Sequence, residues 1–395
     1  MKNLLVLGAS YSQVPLIKAA QRLDCHVIAA SIPGNYAGLD VADEVVSVDI
    51  TKPEEVYEAV KDRGIDAVTT CCMDVGMKAQ GYLCEMLNLP GPKLFAATAA
   101  SDKSIEKAAY KAHGVNTAGY EIVHDAAELE AALDNLRFPV ILKAVDQMGS
   151  RGVFRSDTRE QARENFELSM AATSKDFCIV EEFLIGEMFG VEAMVSGGEL
   201  AYVLPLGNVL HDGNPPFPIG HYVPWKDDGQ LARRVVEQTQ AVVRALEFDD
   251  CAMDMDCMLV GDDVYVIEAT ARAGATCITD TVSIYYGIDY YEAIVRVALG
   301  EDVRPMFDLE GNRGVPSITR LLESSEGGIV EAVLMPEELP DAVVDLSYNV
   351  SPGDEVRPMS NGRDRIGQLI IKGDTLDECR KVESGILPLV GVRCK

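Results

Sequence analysis

Residues 255–272 read MDCMLVGDDVYVIEATAR: one alternating stretch ends at Val260, Gly261-Asp262-Asp263 follows, and a second alternating stretch runs from Val264 to Arg272. Apolar and polar side chains in alternation mark a half-buried β-strand, and a Gly with two Asp between two such runs marks a hairpin. A symmetric three-residue loop pairs Val260 with Val264, which sets Asp256 opposite Glu268 and Asp254 opposite Thr270, with Arg272 just beyond on the same face. Opposed side chains have Cβ atoms about 4.5–5.5 Å apart, where like charges repel. Two facing carboxylates therefore want a cation between them, and oxygen donors suit Mg2+ or Mn2+ rather than zinc. The competing reading splays both acids into solvent, since a single bulge breaks the register.

A second cationic stretch lies upstream. Residues 140–153, VILKAVDQMGSRGV, form an apolar strand carrying Lys143 and then a loop, Gly149-Ser150-Arg151-Gly152. Strand alternation puts Lys143 on the face of Ile141 and Val145. Either its stem packs while the amine snorkels to water, or the amine is a compact cation aimed at a phosphate that the loop N–H groups also cover. The loop does not follow the GxxxxGK[ST] pattern. Ser101 to Gly114 predicts a helix with a serine cap and a glycine stop; its Lys103 and Lys107, taken alone, read as a solvated face. Asp125 with Glu128 resembles a capping box before a helix, RENFELSMAA predicts another, and Phe177–Leu184 a strand, so residues 115–185 form a compact α+β unit.

Residues 1–95 alternate strand and helix (NLLVLGA, PLIKAAQRL, HVIAASI, PEEVYEAVKDRG, DAVTTCC), which argues a Rossmann-like parallel sheet. Gly8-Ala-Ser-Tyr-Ser-Gln lacks the full GxGxxG pattern and HVIAAS does not end in an acid, so a nicotinamide cofactor is not expected. Residues 205–230, rich in Pro and Gly, predict a long loop, and the pattern turns strand-rich after Pro305. These breaks give three parts: 1–98, 99–302 and 303–395.

The chain has 395 residues, 48% hydrophobic and 25% charged, which suits two or three folded domains. A net charge of -28 without a basic patch argues against nucleic acid and anionic membranes, and no run nears the ~18 apolar residues of a membrane helix. Small-molecule partners and a cytoplasmic location are expected. Ten cysteines without CxxC spacing read as reduced core thiols.

Taken in order, Ser101-Asp-Lys103, Leu142-Lys143 with the glycine loop, Val180-Glu-Glu-Phe-Leu184, and Asp256 with Glu268-Ala-Thr-Ala-Arg272 resemble the ATP-grasp superfamily, which includes biotin carboxylase, carbamoyl phosphate synthetase and amino-acid ligases. The resemblance implies a fold of mixed α/β and α+β class: an N-terminal Rossmann-like domain, a central ATP-grasp core with 115–185 as a mobile lid, and a strand-rich C-terminal domain. It implies ATP and Mg2+ (or Mn2+) as cofactors. Lys103 and Lys143 would then neutralise the α- and β-phosphates, with Gly149, Ser150, Arg151 and Gly152 closing over the γ-phosphate. Glu181, Glu182, Phe183 and Leu184 would line the adenine hinge, and Glu187 adjoins the ribose position. Asp256, Glu268 and Thr270 would hold the metal, and Arg272 with Lys143 would serve catalysis, Arg272 steadying the transferred phosphoryl group. Glu192 and His221, the latter in a Gly220-His-Tyr-Val-Pro224 stretch resembling a substrate-bordering HxxP loop, are substrate-site candidates; His221 also reads as a plain turn residue. Three positions depart from the family pattern: Met188 stands where a ribose-binding glutamate is usual, Asp256 replaces a glutamate, and Thr270 replaces an asparagine. The implied activity is ATP-dependent coupling of a small-molecule carboxylate to an amine through an acyl phosphate, in a possible homodimer. A bicarbonate-using carboxylase of the purine-biosynthesis type and a non-catalytic nucleotide-binding regulator are the alternatives.

Overall fold

The first strands are nearly continuous apolar runs, as strands covered on both faces must be. The computed structural model describes residues 1–147, 151–212, 216–226, 228–308 and 314–395, so the expected loop residues Gly149 and Ser150 lie outside the described residues. The chain forms two compact units, one of residues 1–204, 228–275 and 289–308, the other of 205–227, 276–288 and 309–395.

In the first unit, β1 (Lys2–Leu7), β2 (Cys25–Ser31), β3 (Glu44–Ser47) and β4 (Ala67–Thr69) make a parallel sheet in the order β3-β2-β1-β4. Leu4 to Leu7 are wholly buried. The helix Val14–Arg22 lays Leu16, Ile17, Ala19 and Ala20 on the core, and Pro53 opens the helix Pro53–Val60. Proline suits that first position because its missing N–H has no helical partner there.

A second sheet follows. β5 (Tyr120–Val123), β6 (Val140–Lys143), β7 (Val153–Ser156) and β8 (Cys178–Glu182) are antiparallel in the order β5-β8-β6-β7. Val140 and Leu142 join a core with the helices Ala126–Asn135 and Arg159–Ala172, through Leu129, Leu133, Ala162 and Phe166. Period-two alternation thus turns Lys143 away from that core.

Next along the chain come β9 (Glu187–Ser196), β10 (Glu199–His211), β11 (Phe217–Val223), β12 (Cys251–Val260) and β13 (Asp263–Thr270). The first unit holds the order β13-β12-β9-β10. The second unit adds β14 (Ser317–Leu322), β15 (Gly328–Leu334), β16 (Val343–Tyr348), β17 (Glu355–Val356), β18 (Gly367–Lys372) and β19 (Gly391–Cys394). There β11 pairs β14, β14 pairs β18, and β18 pairs β16. Ile318, Leu369, Ile371 and Cys379 build its core, with Cys379 on the helix Leu376–Ile386, which Thr375 and Glu378 cap reciprocally.

Two expectations need correction. The stretch 205–230 holds the end of β10 and all of β11 rather than a loop: Pro205, Gly207, Pro218 and Gly220 lie within the strands, whose register pairs Asn208 with His221 and Gly207 with Tyr222. The helix near residue 101 starts at Lys103, capped by Asp102, whose carboxylate accepts the Ser104 N–H at 3.0 Å; Ser101 donates its hydroxyl to the Ala97 carbonyl instead. Eight of the ten cysteines are buried and none is in a disulfide. Among the described residues no helix is long and apolar enough to cross a membrane.

Candidate functional site

The helix Lys103–His113 places Lys103, Glu106, Lys107 and Tyr110 at i, i+3, i+4 and i+7, on one face. That face is turned inward: Glu106, Lys107 and Tyr110 are 3%, 1% and 0% exposed. The reading of Lys103 and Lys107 as a solvated face is therefore wrong, because Lys103 meets Glu268 of β13 and Lys107 meets Glu181 of β8, contacts distant in sequence. The Lys103 N–H donates to the Val145 carbonyl, while its Nζ donates to the Gln147 carbonyl at 3.0 Å and lies 3.2 Å from Glu268 Oε2. Lys107 Nζ donates to Thr117 Oγ1 at 2.6 Å and lies 3.1 Å from Glu181 Oε2. Lys143 Nζ meets the same Glu181 oxygen at 3.0 Å. Burial pushes the Glu181 carboxyl up, but the charges of Lys107 and Lys143 outweigh it and hold it below the usual carboxylate range. Burial likewise pushes Lys107 down.

The hairpin brings the acids together by a different route from the symmetric loop. Val260 pairs with Asp263, so the turn is the two residues Gly261-Asp262, and Gly261 has φ +60°. This register alone would pair Asp256 with Ile267. A bulge between Cys257 and Asp256 skips Ile267 and restores Asp256 opposite Glu268 and Asp254 opposite Thr270. Met255 and Cys257 are buried on the other side of β12. Lys103 chiefly, then Lys143 and Arg272, hold the Glu268 carboxyl, whose side chain is still 45% exposed, below its usual range. Asp256 goes the other way, raised by burial and by the facing Glu268. Thr270 Oγ1 is buried with no partner. Two opposed carboxylates beside an unsatisfied hydroxyl fit a hard divalent cation. Among the described residues no three His, Cys, Asp or Glu side chains gather to hold a metal by themselves, so a cation here would complete its shell with water or phosphate oxygens.

Sequence reasoning missed two groups. Glu106, one turn from Lys103, accepts the Tyr110 hydroxyl and the Ala269 N–H, each at 2.6 Å, and so ties down the strand between Glu268 and Thr270. Burial, helped by Glu268, raises its carboxyl to about 7. Asp74 takes Arg272 Nε and Nη2, both at 2.7 Å, while Arg272 Nη1 donates to Asp254 Oδ2 at 2.7 Å. The only sequence signal for Glu106 and Lys107 was their helical spacing from Lys103; for Asp74 there was none.

Glu192 is fully buried on β9, across from Asp254, and both of its oxygens are engaged, Oε1 by the Tyr290 hydroxyl at 2.8 Å and Oε2 by the Gly274 N–H at 3.1 Å. It braces the segment after Arg272. At the end of β8, Glu182 accepts the backbone N–H and guanidinium of Arg137, and the Phe183 N–H donates to the Pro139 carbonyl at 2.8 Å. Leu184 is half-buried and Glu187 exposed at the start of β9. Arg151 is exposed, and Gly152, φ +67°, gives its carbonyl to the Ala144 N–H. A Cβ on Gly152 would fall 2.7 Å from the Cβ atoms of Ala144 and Ala172, so the close approach admits only glycine.

His221 belongs to the second unit. It is a buried strand residue, not a turn residue: Nδ1 lies 3.0 Å from Asn208 Oδ1, its N–H donates to Thr319 Oγ1, and burial pushes its pKa down to about 4.

Residues 101–210 match the family profile described as phosphoribosylglycinamide synthetase, ATP-grasp (A) domain, and residues 320–392 match L-amino acid ligase C-terminal domain 2. Over 100% of both chains the protein is 34% identical to phosphoribosylglycinamide synthetase from Anaerococcus prevotii, and the two structures superpose with a TM-score of 0.85. The L-amino acid ligase from Bacillus licheniformis shares the fold, with a TM-score of 0.84 at 20% identity over 100% of this chain and 99% of that one. Alanine–anticapsin ligase from Bacillus subtilis is 27% identical over 280 residues, 63% of this chain and 58% of the ligase, so the match spans a little over half of that relative.

Proposed function

We propose, because this chain belongs to the ATP-grasp superfamily, that it is an ATP-dependent carboxylate–amine ligase. The observation that carries the reading is the Lys103–Glu268 ion pair, with the charges of Lys143 and Arg272 also acting on Glu268 and Asp256 facing it across the hairpin. Three cations and two carboxylates at one place are what a polyphosphate with its divalent ion requires. Asp256, Glu268 and Thr270 would hold Mg2+ or Mn2+, which when bound offsets charge on the phosphate oxygens.

In this reading Lys103 and Lys143 hold the α- and β-phosphates in place. Arg272, kept rigid by Asp74 and Asp254, faces the γ-phosphoryl group as a substrate carboxylate oxygen attacks it. The new P–O bond makes an acyl phosphate as the bond to the β-phosphate oxygen breaks and ADP leaves. An amine then attacks the acyl carbon, phosphate departs, and the nitrogen gives up a proton to leave an amide. Alanine–anticapsin ligase and phosphoribosylamine–glycine ligase each name an amino acid as one partner, which supports an amino acid as one substrate here. The three-part division 1–98, 99–302 and 303–395, the roles of residues 181–187 and of Glu192 and His221, and a homodimer belong to the same proposal.

The test is phosphate release from Mg·ATP with pooled amino acids. Release that needs amino acids, and falls on the order of 100-fold or more in Glu268→Gln, supports the ligase. Release that needs only bicarbonate would favour carboxylation, and tight ATP binding with no turnover in any pool would favour a regulator.

A further inference from the structure

We propose that Lys107 is a positioning residue of the nucleotide site: by sharing the Glu181 carboxylate it leaves Lys143 with positive charge to offer a phosphate. The inference rests on the ATP reading above and assigns a role to a lysine outside the expected site.

The argument is one of charge balance in a place with little water. The side chains of Lys107, Lys143 and Glu181 are 1%, 8% and 3% exposed. Two ammonium groups meet one carboxylate oxygen, so the hydrogen-bonded cluster carries one positive charge in excess. Glu181 Oε1 is buried with no partner, and both lysines bind Oε2. Glu106, on the same helix face as Lys107, is held by Tyr110 and Ala269 and hydrogen-bonds neither lysine. That surplus is felt by Glu268 and Asp256, and a divalent ion taken up by those two carboxylates would leave it to an entering phosphate. Without Lys107, Glu181 and Lys143 would close into a neutral pair, and the site would lose its surplus.

Lys107 is also fixed where it must be to do this. Thr117 Oγ1 accepts from its Nζ and itself donates to the Val266 carbonyl of β13 at 2.7 Å. The amine therefore bridges the second sheet, through Glu181 on β8, and the strand that carries Glu268.

The charge count makes an ordered prediction. Taking the cluster as +1 in the unaltered chain, it is 0 in Lys107→Met, +2 in Glu181→Gln, and +1 again in the double variant. Binding to the full chain would be measured by calorimetry with Mg·ADP and with inorganic tripolyphosphate, which presents phosphates without a base. Lys107→Met should bind tripolyphosphate about tenfold more weakly, the scale of one nearby charge at partial burial. Lys107→Arg should recover most of the loss, the double variant should approach the unaltered chain, and Glu181→Gln should bind at least as tightly as it. If Lys107→Met does not fold, Glu181→Gln and the double variant carry the test, and the second should bind about tenfold more weakly than the first. Undiminished binding in Lys107→Met, or a double variant weaker than Lys107→Met, overturns the proposal, since the second result is that of a merely structural lysine. An unaltered chain that binds neither probe overturns the nucleotide reading itself, and this proposal with it.

Discussion

Arg272 donates along two edges of its guanidinium, to Asp74 on one and Asp254 on the other, and a single ammonium cannot span both. Arg272→Lys should therefore leave one half-buried carboxylate without its partner, at a cost of about 1–3 kcal/mol of stability by urea unfolding. Turnover should fall on the order of 100-fold, because a preorganised donor has gone. Near-normal phosphate release in this variant would remove Arg272 from the chemistry. His221 sets a pH dependence. Its folded pKa of about 4 lies below the ordinary value near 6.5, so the unfolded chain takes up a proton that the buried ring refuses. Stability is thus intact above about pH 6.5 and falls as pH drops toward 4, by about 3 kcal/mol in all. His221→Asn should show a flatter urea midpoint between pH 7 and pH 5 than the unaltered chain; equal slopes would contradict it.

The elements that could be read from sequence are those whose local pattern matches their tertiary surroundings. The strands β1 and β2 of the parallel sheet are apolar on both faces, and the helices at 126 and 159 carry their own start signals in the caps Asp125 and Thr158. The helix Lys103–His113 breaks that agreement: its inward face is Lys, Glu, Lys and Tyr, a polar stripe that sequence alone assigns to water. Only the lysines and acids of the second sheet and of β13 make it an interior face, and those contacts are invisible in a local window. The hairpin gives the converse lesson. Two deviations, a shorter turn and a bulge at Ile267, cancel, so the acids face each other as a simpler register had placed them. Asp102 caps the polar helix immediately before Lys103. Asp102→Ala should lose about 1 kcal/mol in urea unfolding and Asp102→Asn much less. The alanine variant should also raise the KM for ATP several-fold, because the first helical residue is the one that reaches Glu268; an unchanged KM would mean that the cap serves stability alone.

At the scale of the molecule, the question is what the second sheet does when a nucleotide arrives. Its entry from the polar helix is pinned at residues 116 and 117: Asn116 exchanges backbone and side-chain hydrogen bonds with Val266 and Val264, and Thr117 donates to the Val266 carbonyl. At its exit the Phe183 N–H donates to the Pro139 carbonyl, a bond within the same unit, since Pro139 leads into β6. Lys143 and Arg151 lie between residues 117 and 183; the buried chain Glu181, Lys107 and Thr117 joins Lys143 to β13, and Lys103 adds a second link, from the Val145 and Gln147 carbonyls to Glu268. A four-stranded sheet with its own core, joined to β13 and to the polar helix by these polar contacts, can turn as a body about residues 116 and 117. We predict that it closes on Mg·ATP and shields the acyl phosphate from water, as lids of this kind do. Trypsin cuts after arginine, and Arg151 is exposed. Cleavage there, identified by fragment mass, should slow at least several-fold with a non-hydrolysable ATP analogue and Mg2+, and should not slow with Mg2+ alone. Lys107→Met should need more analogue for the same protection, because the surplus charge that draws the phosphates is gone. Cleavage at an unchanged rate in saturating analogue would show that nucleotide binds without closure, and the exclusion of water would then have to come from elsewhere in the fold.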